Sequence, residues 1–406
     1  MPAIAEVESP KNREREILTV ASAHLNTMGV SVEWFSDIAG TLGLTRPALY
    51  KYVTDREDLQ FRCYQYACEE LSRRFAMAQA LEDEPVNVLL RFLETNISGL
   101  PELAVMSELF ALRETQQQEI LMLQSDLIGV IAGEIERGIS ARAIRPLDAE
   151  LLAQTLLGLS SWPAMLSRWG APGDKGLLAL GTRELLLRGL AVDPEIKLAA
   201  APTLRSARPR PDVFSRSAVN AAKRENVLIA ASALFNRRGI GATRIEDVAA
   251  ALSLSKRAVY HYVGQKQDLV DACVERSYEH SLSVMAAAGE LQVSPLSAIA
   301  VCIREVIVAS GDPDVCVMVP YVGYGQVSAK EQASVREHVE QMLVGYRRLL
   351  EAGVRNGSIR DVGIEAIQLS LPGIFCWSAN VPAADVNDLE RRSEALADIA
   401  VRGILA

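Results

Sequence analysis

The chain is predicted to be all-α and to contain one helical unit twice, in tandem. Three observations predict this. The segment Thr45-Arg46-Pro47-Ala48-Leu49-Tyr50-Lys51-Tyr52-Val53 returns as Ser255-Lys256-Arg257-Ala258-Val259-Tyr260-His261-Tyr262-Val263, 210 residues later in a chain of 406. Ala, Leu, Glu and Arg are abundant while strand punctuation is sparse, a balance that favours helices. Long stretches carry apolar residues at helical spacing.

The repeat is wider than this segment. Leu18, Ala21, Ser22, Ala23, Asn26 and Gly29 match Leu228, Ala231, Ser232, Ala233, Asn236 and Gly239 without a gap. Asp37, Ala39, Leu42, Leu44, Asp58 and Leu59 match Asp247, Ala249, Leu252, Leu254, Asp268 and Leu269. A weaker echo at an offset of 215 relates Gly138, Ile144, Arg145, Gly158 and Trp162 to Gly353, Ile359, Arg360, Gly373 and Trp377. A period near 200 residues makes each unit a domain-sized body rather than a solenoid repeat.

The elements follow in order. In the first copy a helix over 13–28 ends at Gly29, and a second short helix follows. Thr45 is placed to cap a third helix running to Tyr52, with Pro47 just inside it, where proline is tolerated. In the second copy residues 223–238 form an amphipathic helix stopped by Gly239. Thr243, with Glu246 three residues on, reads as a capping box for a helix over 244–252. Ser255 then caps a short helix through Tyr262, and a longer one opens near Lys266. After each head, helical patterns broken at Pro101, Pro146, Pro163, Pro295, Pro313 and Pro372 make up a larger body. Between the copies, residues 200–211 are rich in Pro, Ala and Arg and read as an extended linker. Its Arg205, Arg208 and Arg210, with Arg216, form either an arm for a DNA minor groove or a soluble tether. The expected partition is 1–60 head, 61–195 body, 196–216 linker, 217–270 head and 271–406 body.

Helix, tight turn, helix, braced by a preceding helix, is the helix-turn-helix arrangement, whose second helix enters the major groove N-terminus first. The groove-facing and phosphate-facing candidates are Ser255, Lys256, Arg257, Tyr260, His261, Tyr262 and Lys266, with Thr243 at the preceding cap. In the first copy they are Thr45, Arg46, Pro47, Tyr50, Lys51, Tyr52 and Arg56. Glu33, Trp34 and Phe35 occupy the first copy's counterpart of the second cap, so its affinity or sequence preference is expected to differ. Charge supports the distinction. The chain carries a net −9, but residues 205–270 hold 12 basic against 5 acidic residues, a net of +7, and residues 11–60 hold 6 against 7. Phosphate is attracted to the second head and little to the first.

Both copies resemble the DNA-binding head of the TetR family of bacterial transcriptional regulators over about 45 residues each. The resemblance implies a ligand-responsive regulator, most simply a repressor released from operator DNA by a small apolar or aromatic effector. It implies two TetR-like units, each a three-helix head followed by a helical effector-binding and dimerisation domain. The last two helices of each unit, within 147–169 with 177–190 and within 361–378 with 386–405, would then pair as a four-helix bundle inside one chain. Effector-contact candidates are Met106, Phe110, Trp162, Met165 and Trp169 in the first unit. In the second they are Met318, Tyr321, Tyr324, Met342, Tyr346, Phe375 and Trp377, a set richer in hydroxyls. Each of these residue types also serves as ordinary core.

Other classes fit less well. There is no Gly-rich phosphate loop, no G-x-S-x-G and no H-E-x-x-H, so an enzyme is not expected, and no cofactor is implied. Six scattered cysteines and four histidines lack metal-site spacing. The cysteines read as buried thiols in a reducing cytoplasm, with Cys302 and Cys316 as candidates for a redox pair. No apolar run is long enough for a membrane span. The remaining alternative is a protein-interaction adaptor that keeps one working head.

Overall fold

The computed structural model describes residues 10–29, 34–99, 103–169, 174–198, 204, 215–319, 324–381 and 385–406. Every regular element among the described residues is a helix. The first half holds α1 (Pro10–Met28), α2 (Trp34–Thr41), α3 (Arg46–Leu49), α4 (Arg56–Leu81), α5 (Pro85–Ser98), the 3-10 turn η1 (Leu109–Ala111), α6 (Glu114–Ser140), α7 (Ala149–Arg168) and α8 (Lys175–Arg188). The second half holds α9 (Arg216–Ala242), α10 (Ile245–Ala251), α11 (Lys256–Val263), α12 (Lys266–Glu290), α13 (Pro295–Ala309), η2 (Tyr324–Gln326), α14 (Ala329–Arg355), α15 (Ile364–Phe375), η3 (Cys376–Asn380) and α16 (Val386–Arg402).

Each head is closed by apolar side chains from its first three helices and from the start of a long fourth. Trp34, Phe35, Ile38, Leu49, Leu59 and Tyr64 fill the first head. Val227, Leu228, Phe235, Val248, Val259 and Leu269 fill the second. Burying one such side chain contributes about 1.5–3 kcal/mol. Trp34 and Phe35 are therefore core of the first head, at 1% and 0% exposure. The fourth helices, α4 and α12, run unbroken across the borders expected at 60 and 270, so each head is carried on a rigid rod of its body.

Three boundaries differ from expectation. Helix α9 starts at Arg216, because Ser215 accepts from the Ala218 amide at 3.3 Å. Arg216 is thus a helix residue, while Arg205, Arg208 and Arg210, like Glu33, lie outside the described residues. At its other end α9 bends at Gly239, whose φ of +78° suits glycine, and runs one short stretch further. Helix α3 is regular for one turn only and continues as tight turns to Val53, with Tyr52 N donating to Leu49 O at 3.0 Å.

The two halves meet along their last helices, α8 against α15, α7 against α15 and α16 against α8. The contact is reciprocal. Trp162 of α7 covers Gly373 of α15, where a Cβ would lie 2.9 Å from the indole Cγ. Trp377 covers Gly158 of α7, where a Cβ would lie 2.2 Å from the indole Cδ1. Arg145 donates through Nε to Gly403 O at 2.7 Å and pairs with Asp398 at 2.5 Å. Arg360 donates through Nη2 to Gly189 O at 2.8 Å and pairs with Glu184 at 3.2 Å. Single antiparallel bridges, Ile144 with Leu405 and Ala191 with Ile359, complete the exchange. The end of each half is therefore held by the other half.

Candidate functional site

The second head presents α11, the candidate reading helix, by a chain of caps. Ser255 accepts from the Ala258 amide at 3.2 Å and starts α11. Such a cap contributes about 1 kcal/mol. Asp268 accepts from the Gln265 amide at 2.7 Å and starts α12. Between them Gly264, at φ +77°, turns the chain. Lys256, Arg257 and His261 are exposed on α11, while Val259 and Val263 are buried beneath. Tyr260 and Tyr262 are half-buried, and Tyr262 meets His261 edge-on at 5.3 Å.

Two expected roles in this head change. Thr243 is buried at 1% and donates to Gly239 O at 2.8 Å, so it locks the bend of α9 instead of capping α10. The cap of α10 is Arg244, whose amide donates to Asp247 Oδ2 at 2.8 Å. Lys266 is partly buried, donates toward Gly241 O at 3.4 Å, and has its ammonium pKa lowered by burial. It braces the end of α9 before it can serve a phosphate. Sequence reasoning also missed the partner of Lys256. Its ammonium is bound to the carboxylate of Glu246 on α10 and lies 5.7 Å from the Tyr260 ring. The bond holds Glu246 below the usual carboxylate range and raises Lys256.

In the first head Thr45 accepts from the Ala48 amide at 3.4 Å, and Arg46, Pro47, Tyr50 and Lys51 are exposed. Tyr50 leans on Phe35 with ring centroids 5.2 Å apart, and Tyr52 is half-buried. Arg56 opens α4 at the surface. The buried Trp34 stands where the second head has the exposed Arg244, which costs the first head a surface cation at that helix start.

Among the ties of each head to its own body is one asparagine at matching positions. Asn26 donates to Leu103 O at 2.8 Å and accepts from the Val105 amide at 2.8 Å. Asn236 donates to Val317 O and accepts from the Val319 amide, both at 2.9 Å. The repeat had flagged this pair of identities, but nothing local to either helix shows what they hold. The first head has an extra clasp: Arg168 of α7, 4% exposed, donates to Asn26 O at 2.7 Å and Leu25 O at 2.8 Å.

Among the described residues two unlike cavities stand out in the bodies. That of the first half measures about 520 Å³ and is lined by Met106 together with Arg74, Asn96, Gln124, Gln154 and Lys175. That of the second half measures about 90 Å³ and is walled mainly by apolar side chains, among them Met318, Met342, Tyr346 and Phe375. The tryptophans are exchanged relative to expectation. Trp162 and Trp169 line the second half's cavity, and Trp377 lines the first's, because α7 and α15 each reach across the shared interface. Met165 is fully buried core that lines neither cavity. Phe110 also lines neither; its ring lies against Gly239 of the second head. Tyr321, and the side chain of Tyr324, lie outside the described residues. Hydroxyl groups do line the second half's cavity, among them Ser277, Ser310, Ser378 and Tyr346, while charged and amide side chains line the first's.

The cysteines carry no disulfide. Burial pushes the Cys302 thiol up to about 12 and raises Cys316, the reverse of what a reactive pair requires. No helix among the described residues is long and apolar enough to cross a membrane.

A capped, exposed second helix on a helix-turn-helix head, set on an all-helical body with cavities, is the class of fold that the structure defines. Residues 227–273, α10 and α11 with their flanks, match the family model described as bacterial regulatory proteins, tetR family. Similar solved structures include the TetR family transcriptional regulator PfmR from Thermus thermophilus, 21% identical, covering 44% of this chain and 97% of that chain at a TM-score of 0.37. A tetR-family regulatory protein from Rhodococcus RHA1 is 21% identical over 45% of this chain and 98% of that one, with a TM-score of 0.35. AibR, crystallised with isovaleryl coenzyme A and operator DNA, is 20% identical over 43% and 97%, with a TM-score of 0.36. No curated protein matches the chain.

Proposed function

We propose that the chain is a ligand-responsive transcriptional repressor whose two non-identical heads arose by tandem duplication and act from one polypeptide. The observation that carries the reading is the second head itself: Ser255 caps α11 so that Lys256, Arg257 and His261 stand exposed at and beyond its N-terminus, in the +7 segment. The reciprocal seats of Trp162 on Gly373 and Trp377 on Gly158 support a built-in pseudo-dimer, since symmetric pairs of this kind join subunits in ordinary dimers. The partition into heads at 1–60 and 217–270 and bodies at 61–195 and 271–406 is kept as part of this proposal, with the linker between them.

On this reading the second head supplies most of the affinity and the first reads a different half-site, so the operator is non-palindromic. Arg46 and Lys51 are the polar readers of the first head, with Thr45, Pro47, Tyr50, Tyr52 and Arg56 shaping its contact. Occupation of a body cavity favours a conformer whose heads no longer match successive major grooves, and DNA is released.

The test is retardation of operator DNA, selected from random duplexes by the intact protein, at several salt concentrations. Lys256→Glu with Arg257→Glu is expected to abolish selective retardation while the helical spectrum is unchanged. Selective binding that survives this double substitution overturns the assignment of α11. Absence of any selective retardation by the wild-type chain favours the adaptor alternative.

A further inference from the structure

The two cavities differ about sixfold in volume, and the larger lies in the half with the weaker head. We infer that the cavity of the first half is the effector site, that it takes an amphipathic anion, and that the second head reads its occupancy across the molecule. The inference rests on the reading of the chain as a ligand-responsive regulator.

Size separates the cavities first. An engineered protein cavity of roughly 150 Å³ holds one benzene. At about 90 Å³ the second half's cavity is smaller than that, and its walls are packed core. At about 520 Å³ the first half's cavity accepts a chain of several carbons with a polar end.

Charge then selects the ligand. Arg74, only 5% exposed, lines the cavity beside Asn96, whose Oδ1 accepts from its Nη1 at 3.0 Å. Among the described residues, the Glu70 carboxylate behind it pairs with Arg74 at 3.0 Å and also with two surface guanidiniums, Arg73 at 2.6 Å and Arg15 at 3.9 Å. Among the described lining residues, Lys175 adds a cation and Glu150 a carboxylate to the wall. A carboxylate or phosphate complements this end. Leu127, Ile128 and Leu157 offer an apolar remainder.

Connectivity carries the signal. Met106 and Leu109 line the cavity, and the next residue, Phe110, lies so close to Gly239 that a Cβ there would sit 1.9 Å from the ring. Gly239 is the bend between α9 and α10, at φ +78°. A ligand that displaces Leu109 therefore pushes on the hinge of the opposite head. The converse contact, Gly325 of η2 on the Met28 carbonyl, starts from the half whose cavity is small.

The test is calorimetric titration of the full chain with sodium octanoate, octanol and octylamine, paired with operator retardation. Octanoate is expected to bind at least about tenfold more tightly than the other two. It should also weaken operator binding about fivefold or more. Gly129 lines the cavity from its exposed rim on α6, and a Cβ there meets nothing within 4 Å, so Gly129→Trp is designed to set an indole across the mouth without a clash in the helix. It should abolish octanoate binding. Asn96→Asp, isosteric and still a partner for Arg74, should weaken it about tenfold by charge. Phe110→Ala should retain octanoate binding and lose the effect on operator. Equal binding of octylamine or octanol, no binding of any probe, or binding that survives Gly129→Trp overturns the ligand site. A Phe110→Ala chain that responds as wild type overturns the crossed coupling. Octanoate binding in a protein that never retards operator refutes the repressor reading and leaves the site standing.

Discussion

On the proposed reading Lys256 must loosen its hold on Glu246 to reach a phosphate, which predicts a measurable brake on the second head. Replacing Glu246 by Gln is expected to tighten operator binding and to steepen its dependence on salt. In the free protein the ammonium is held by a carboxylate that DNA repels and that contributes a like-charged neighbour to the phosphate. Both groups are about half exposed, so the bond itself is weak and the gain comes mainly from the liberated contact. Each phosphate neutralised by a protein cation adds about 0.9 to the slope of log affinity against log salt. Freeing one lysine should therefore add about that much. Raising salt fourfold, from about 50 to about 200 mM, would then cost the variant an extra factor of about 3.5 beyond the wild-type loss. Fluorescence anisotropy of labelled operator across that range reads the slope directly. Lys256→Gln, alone and combined with Glu246→Gln, closes the cycle: the added slope should vanish when the lysine is gone. A slope for Glu246→Gln equal to that of wild type, with helical content unchanged, would refute the reasoning.

Three further outcomes are expected. Trp162→Ala removes a side chain 2% exposed that covers Gly373 and donates to Leu369 O at 2.6 Å, and should lower stability by about 3–5 kcal/mol in urea titration. A loss below about 1 kcal/mol would mean that the interface does not depend on this seat. Ser255→Ala should cost about 1 kcal/mol of stability, and Ser255→Thr much less, because both hydroxyls cap α11; equal effects of the two would exclude capping as the cause. Glu331 of α14 is buried near Asp271, Glu275 and Glu279 of α12, with Lys330 as the nearby cation, and burial raises its pKa from 4.5 to about 7. The folded state then binds the proton that the unfolded state has released, so its contribution to stability is full below about pH 4.5 and is lost as pH rises through 7. Glu331→Gln should be more stable than wild type at pH 8, with the gap closing toward pH 5; a constant gap across that range would contradict it.

Much of the head was legible because its signals are local. A hydroxyl before a helix and a glycine at a reversal constrain the chain within a few residues, and Ser255, Gly239 and Gly264 act where their types predicted. Thr243 misled because a hydroxyl near a helix start has two outlets, the next amide or a preceding carbonyl, and the bend at Gly239 offered the carbonyl. The cavities were legible only as a pool of large apolar residues. Which wall a tryptophan lines depends on the crossing of α7 and α15, a contact between residues some 200 positions apart. Periodicity carries no information about it, so Trp162 and Trp377 were each expected in the wrong cavity. The repeat did mark Gly158, Gly373, Arg145 and Arg360, and what it could not supply was that each pair is satisfied across the interface. Arg74 went unnoticed for a similar reason: an arginine on a helix reads as solvated until packing buries it.

The reciprocal seats also bear on how the protein is made. The face of α8 that rests on α15 is complete when residue 188 leaves the ribosome, but α15 begins only at residue 364. At ordinary rates of synthesis the first half waits roughly 10–35 s with that face uncovered. During this interval the only matching face on offer is that of the first half of another chain. Gly158 and Trp162 recur as Gly373 and Trp377, so such a neighbour presents a face of the same design. The tether between the halves then does more than join them. It sets a high local concentration for the correct partner as soon as that partner exists, and so favours closure within one chain over exchange between chains.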